Sequence, residues 1–286
     1  MFHVEPNSNK QLLASPKDHL VSGEVFQVVL DSTTQIAKTC PSPPLEELPA
    51  YYQHQAYISH GNANRSVVER MYGFVQRLMF RQKAKWLKPY FTEEPTYLDY
   101  GCGTASFVNH LNRKGIDAYG VEPSEKARSF HKETKNVVAA LNEIEKESFS
   151  VIALWHVLEH ISKPDEILHQ LSNRLSSSGA LIIALPNFNS KDAKRYKSDW
   201  AAYDVPRHLW HFSREGIVGL ASKEGLKCVK VRPLVFDAFY VCYLSEKQRG
   251  SRFPLLRGVF NGIYSNLHAL LKGEYSSLVY FFEKEA

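Results

Sequence analysis

The stretch Tyr97-Leu98-Asp99-Tyr100-Gly101-Cys102-Gly103-Thr104-Ala105 constrains the fold of this chain more than any other. A short apolar strand runs into a Gly-x-Gly turn, and a helix is expected behind it over Ser106–Arg113. Gly101 can adopt backbone angles closed to other residues. Gly103 lets a ligand approach the backbone with no side chain in the way. The free N–H groups of the next helix then face that ligand. A second strand, Ala118–Val121, ends in Glu122, roughly 20 residues past the glycines, where a carboxylate is placed to grip ribose hydroxyls. Strand, turn, helix, strand and acid in this order point to an α/β sheet that binds a nucleoside-like ligand.

Dinucleotide folds place a third glycine where this chain has Ser106, and they cradle a pyrophosphate. Asp99, just before the turn, would repel a pyrophosphate and attract an ammonium group. The pattern Leu98-Asp99-x-Gly101-x-Gly103 resembles motif I of class I S-adenosylmethionine-dependent methyltransferases. The apolar run Ser148–Trp155 is fit for a buried central strand. Strand followed by His156-Val157-Leu158-Glu159-His160 resembles motif IV of the ubiquinone-biosynthesis-like group (methyltransferase types 11, 12 and 23). The similarity covers about residues 96–246. It implies a Rossmann-like, doubly wound, mostly parallel seven-stranded sheet, with an N-terminal extension and a C-terminal helix and strand.

The resemblance also implies S-adenosylmethionine as cofactor and assigns its contacts. Asp99 and the Gly101-Cys102-Gly103 backbone are expected to hold the methionine end. Glu122 and Pro123 are expected at the ribose. Leu141 and Asn142 are expected at the adenine edge, with Trp155 and His156 closing the pocket. Related chains often carry an acid directly after the third strand; here the nearest is Glu143. The expected activity is methyl transfer to a small or medium-sized acceptor, with oxygen favoured. His156 or His208 is the expected base, since imidazole titrates near working pH. A catalytically silent protein of the same fold is the alternative, because Ala105 stands where a third glycine is usual. A nicotinamide oxidoreductase is disfavoured by Ser106 and Asp99.

Two patterns suggest metal. His156-x-x-Glu159-His160 matches an inverted zinc-protease motif, but its first histidine closes a strand, so one helical face does not carry both. His208 and His211 form a pair with no ready third ligand. Related chains often carry a small zinc ribbon before the sheet. Here Cys40 is alone in that region, where a ribbon needs four ligands. No metal is therefore expected.

The chain has 286 residues, 44% hydrophobic, and a net charge of +5. The basic residues are scattered, which disfavours nucleic-acid binding. No apolar leader is visible, no stretch is long enough to span a bilayer, and the cysteines are unpaired in spacing, so a cytoplasmic protein is expected. Residues 1–60 read as a degenerate ribbon-like extension ending in a lid over Tyr51–His60. Residues 61–95 read as helical, with Val67, Met71, Phe74, Val75, Leu78 and Met79 at helix spacing. The cofactor domain spans 96–246. Within it, 188–212 is an insert whose Tyr203, Asp204, Arg207, His208 and His211 are expected to line the acceptor pocket.

Helices are expected over 164–175 and, capped by Ser213, to Glu224. Strands are expected over Ala180–Asn187, Leu226–Val231, Leu234–Leu244 and, near the sheet's edge, Ser276–Glu283. The remaining segment, 247–286, contains an amphipathic helix over 255–271. Its apolar face (Leu256, Val259, Phe260, Ile263, Leu267, Leu270, Leu271) is expected to pack on the domain, with a homodimer or membrane-surface face as the alternatives.

Overall fold

A computed structural model of the chain describes residues 9–44, 46–52, 67–91, 93–131 and 136–285. Its centre is a seven-stranded sheet ordered β10-β11-β8-β7-β4-β5-β6. The strands are β4 (Thr96–Tyr100), β5 (Asp117–Val121), β6 (Val137–Val138), β7 (Phe149–Trp155), β8 (Leu175–Pro186), β10 (Leu226–Pro233) and β11 (Ser277–Lys284). β4 to β8 are parallel, whereas β11 runs antiparallel between β8 and β10. The central strands are mainly apolar because helices cover both faces, as parallel sheets require. Phe149, Val151, Ile152, Ala153 and Leu154 are all fully buried.

The flanking helices are α1 (Val67–Leu87), α2 (Ser106–Asn112), α3 (Glu125–Arg128), α4 (Pro164–Asn173), α5 (Lys191–Tyr196), α6 (Arg214–Ser222), α7 (Asp237–Gln248) and α8 (Pro254–Lys272). Ser213 caps α6 as expected, its hydroxyl accepting the Gly216 N–H at 2.9 Å. The crossover from β4 to β5 reverses at the glycine turn. The carboxyl ends of β4, β5 and β7 therefore open on one crevice, the usual ligand position in such sheets.

A second sheet joins two parts of the chain distant in sequence. β1 (Lys10–Ala14), β2 (Gln27–Asp31) and β3 (Ile36–Cys40) form an antiparallel meander, and β9 (Trp210–Phe212) adds to it beside β3. A small core seals the join. Phe26, Val28 and Ala37 from the extension pack with Phe188, Tyr196, Trp200 and Tyr203 from the insert. The lid expected over Tyr51–His60 lies, beyond Tyr52, outside the described residues.

Two expectations are corrected. Leu234–Leu244 is not a strand; most of it is helix α7. Its aromatic and β-branched residues favour a strand locally, but Ala238, Cys242 and Ser245 fall on one helical face and are fully buried, so packing overrides propensity. The apolar stripe of α8 does not pack on the domain. Leu256, Phe260, Leu267, Leu270 and Leu271 are 59–88% exposed. The inward face is small and polar: Gly258, Asn261, Gly262, Ser265 and Ala269. It meets a buried polar network. Asn261 donates to the Tyr196 hydroxyl (2.7 Å) and to Glu246 (3.0 Å), and Ser265 donates to Asp192 (2.7 Å).

Candidate functional site

The glycine turn is shaped by packing as much as by ligand access. Gly101 has φ +79°, and a Cβ there would meet Val157 Cγ2 at 2.5 Å. Gly103 has φ +54°, and a Cβ there would project into open space. Gly101 thus seats the turn under the β7 exit, while Gly103 leaves the crevice clear. Cys102 turns inward against Gly120, where an added Cβ would lie 2.6 Å from its sulfur.

Glu122 takes the tip of β5. Its carboxylate accepts the N–H of Gly103 and the N–H of Ser124, both at 2.9 Å. The acid therefore braces the glycine turn across the crevice. Arg128 donates to the carbonyl of Pro123 at 2.8 Å and closes this corner. Leu141 is buried and Asn142 exposed in a single turn (Leu141–Glu143) just beyond β6.

Asp99 is buried at the end of β4. Desolvation pushes its carboxyl up to about 7, against the pull of the Lys83 ammonium and the Tyr97 hydroxyl. Lys83, on α1, is pushed down to about 8 by the same burial, with Asp99 and Asp237 opposing. Its ammonium lies 3.9 Å from the Trp155 ring centroid, and Trp155 donates to the Tyr97 hydroxyl at 3.0 Å. Sequence reasoning missed Lys83, Tyr97 and Asp237. Nothing local marks them, since each reaches the crevice from a different element.

His156 closes β7 in the left-handed region, φ +57°. Its Nε2 lies 3.1 Å from Asp237 and its Nδ1 3.6 Å from Glu159. Burial opposes its charge, but the two carboxylates raise it to about 10. At neutral pH His156 is a cation and holds no free lone pair for a proton.

The insert residues are brought to one place, but most are committed to structure. Arg207 is buried and donates to Asp204 at 2.7 Å and to Asp18 at 3.1 Å. It fastens the insert to the N-terminal extension. Tyr203 stands edge-on to Trp200 and His211. His211 sits 2.9 Å from the Thr39 hydroxyl, and burial pushes it down to about 3. His208 differs. Its Nδ1 donates to the Ala202 carbonyl (2.9 Å), and its Nε2 faces Glu159 at 3.9 Å. Burial holds this ring well below its ordinary value, so it is neutral. A larger recess of about 610 Å³, bordered by Trp210, Glu215 and Lys223, shares no residue with this cluster.

The structure therefore gathers Asp99, Gly101–Gly103, Glu122, Trp155 and His156 around one crevice, with Glu159 and His208 beyond His156. Arg207 is turned towards the N-terminal extension, while His211 lines a small cavity with Glu159 and His208 and stands against Tyr203. A family model described as a methyltransferase domain matches residues 71–231, more than half of the chain. No curated protein matches the sequence significantly. Among solved structures, the chain is similar to magnesium protoporphyrin IX methyltransferase from Synechocystis with bound SAH. The TM-score is 0.55 at 12% identity, covering 85% of this chain and 100% of that one. It is also similar to a SAM dependent methyltransferase from Archaeoglobus fulgidus. There the TM-score is 0.50 at 19% identity, covering 73% of this chain and 94% of that one.

Proposed function

Because the chain belongs to the methyltransferase-domain family and is an S-adenosylmethionine-dependent methyltransferase, we propose that it methylates an oxygen of a small or medium-sized acceptor. One observation carries the assignment of the cofactor site. Two carboxylates, Asp99 and Glu122, flank a backbone turn left bare at Gly103, at the carboxyl ends of adjacent parallel strands. Asp99 suits the α-ammonium of the methionine end. Glu122, with Pro123 beside it, suits the ribose diol. Leu141 and Asn142 edge the adenine, and Trp155 and His156 form the wall towards the acceptor.

The sulfonium is already activated, so the protein's main task is alignment. Bound between Asp99, the Gly101–Gly103 backbone and Glu122, S-adenosylmethionine would supply an activated methyl group for in-line attack by the acceptor oxygen. The acceptor proton must go elsewhere. His156 already carries a proton. We place that step on the far side of Glu159, where neutral His208 stands. The imidazolium of His156, held by Asp237 and Glu159, orients this wall.

A binding titration with S-adenosylmethionine, S-adenosylhomocysteine and NAD tests the cofactor site. The first two are expected to bind and NAD not to. Glu122→Ala should lose charge-assisted hydrogen bonds worth about 1.5–3 kcal/mol, so calorimetry should show roughly ten- to hundredfold weaker cofactor binding. Unchanged affinity would move the ribose away from Glu122. A screen of hydroxyl, amine and carbon acceptors with labelled methyl donor then reads the acceptor class.

A further inference from the structure

We propose that Glu159, His160 and His208 form a buried site for a divalent transition-metal ion of the zinc class. One ligand atom from each lies within 4.8 Å of the others. Two ligands come from the turn after β7 and the third from the insert. The spacing along the chain therefore hides the triad, and the expectation of no metal rested on that spacing.

Three observations beyond proximity point to an ion. First, Glu159 is 1% exposed, and neither carboxylate oxygen has a hydrogen-bond partner. His156 at 3.6 Å and His208 at 3.9 Å stand at ion-pair distance, beyond hydrogen bonding. A buried carboxylate with both oxygens unfilled is rare unless something else occupies the space. Second, both histidines are oriented by backbone carbonyls. His208 Nδ1 lies 2.9 Å from the Ala202 oxygen, and His160 Nδ1 lies 3.0 Å from the Arg207 oxygen. A carbonyl only accepts, so each Nδ1 carries a hydrogen and Nε2 is the nitrogen left to face a metal. This is how metal-ligating histidines are held. Third, the scaffold is tied on both sides. The Leu209 N–H donates to the Glu159 carbonyl at 2.8 Å, and Tyr52 Oη lies 3.0 Å from His160 Nδ1.

Two imidazoles and one glutamate are a known zinc donor set that leaves a fourth position open for water or an acceptor oxygen. Ligands at about 2.1 Å in tetrahedral geometry stand roughly 3.4 Å apart. The three groups need to close by about an ångström, which side-chain rotation supplies. The ion would hold the insert against the β7 exit, and because it would take the Nε2 lone pair of His208, that ring serves as the base only in the metal-free protein.

The test is metal content and spectroscopy on the full chain. Metal-free protein is incubated with Zn²⁺ or Co²⁺, desalted and measured by elemental analysis. The cobalt form is also read by its visible d–d absorption. One ion per chain is expected, with the intense bands of low-coordinate cobalt and a raised melting temperature. His160→Gln and His208→Gln should each weaken retention at least tenfold while S-adenosylmethionine titration stays near wild type. If His208→Gln does not fold, His160→Gln, on the partly exposed ligand, makes the comparison by itself. Absence of retained metal in the wild type overturns the proposal and leaves the carboxylate to a buried water. Equal retention in wild type and variants overturns it too, because the ion then sits elsewhere. Neither failure touches the cofactor reading, which the titration scores separately.

Discussion

Ala105 has φ +54° and sits as the N-cap of α2 in the left-handed region. Its Cβ is therefore strained, by about 1–2 kcal/mol for such a conformation. The sequence shows only that Ala105 stands where a third glycine is usual; the left-handed backbone supplies the physical reason a glycine would fit there. Ala105→Gly relieves that strain but adds about 0.5–1 kcal/mol of chain entropy to the unfolded state. A net gain of about 0.5 kcal/mol in urea unfolding is expected, with cofactor affinity equal or slightly tighter. A loss of stability would mean that the methyl group packs usefully in the turn.

Asp99 gives a pH signature. Its carboxyl is raised to about 7 by burial, and only its ionised form attracts the cofactor ammonium. As pH falls through 7, binding must first expel a proton. S-adenosylmethionine affinity should then fall by up to tenfold per pH unit below about 7. Calorimetry at a series of pH values reads the slope, and Asp99→Asn should flatten it. The same raised value makes this group oppose folding increasingly as pH rises from the ordinary carboxylate range to about 7. Asp99 was legible in the sequence as a ligand group. Its titration was not, because the burial that raises it comes from elements packed around β4 from elsewhere in the chain.

At the scale of elements, α8 reverses the usual reading of an amphipathic helix. Its leucines face out and its glycines face in. A Cβ on Gly262 would lie 2.7 Å from Phe239 Cδ1 and 3.0 Å from its Cα. Gly262→Val should therefore cost about 1–3 kcal/mol by overpacking against α7. Leu267→Glu, at a position 59% exposed, should change stability by no more than about 0.5 kcal/mol. Thermal melts of the two variants decide which face is buried. Light scattering on Leu267→Glu reads the homodimer expectation as well: a dimer that becomes a monomer shows that two copies cover this face. The stripe itself was visible in the sequence. The inward polar partners, Asp192, Tyr196 and Glu246, were not, since they come from α5 and α7.

At the scale of the molecule, the fold is a cofactor domain with a second sheet that only two distant segments can complete. Arg207 fastens them. Its guanidinium meets Asp18 from the extension and Asp204 from the insert, and both Arg207 and Asp18 are buried. Arg207→Met would leave a buried carboxylate without its cation, at a cost of about 3 kcal/mol or more. The expected result is a lower urea midpoint and faster hydrogen exchange in residues 9–44. An unchanged midpoint with a raised acceptor KM would return Arg207 to the acceptor pocket. Asp18 is held below the ordinary carboxylate range. Burial opposes this, but the Ser22 and Leu20 N–H groups and Arg207 outweigh it. Its contribution to stability is thus present at neutral pH and is lost as pH falls into the acid range.

Local pattern determined strands β4, β5 and β7, the glycine turn, the carboxylates at its flanks and the Ser213 cap. Each depends on residues within about one turn or one strand of each other, which is the range over which periodicity and backbone freedom act. Tertiary structure alone decided the fate of Leu234–Leu244, where burial of Ala238, Cys242 and Ser245 outweighed strand propensity. It alone turned the α8 leucines outward, because a buried polar network needed the other face. It also spent Arg207 and His211 on joining two sheets. And it brought His208 to Glu159 and His160, some fifty residues away in the chain, because β9 pairs with β3 and carries the insert back across the exit of β7.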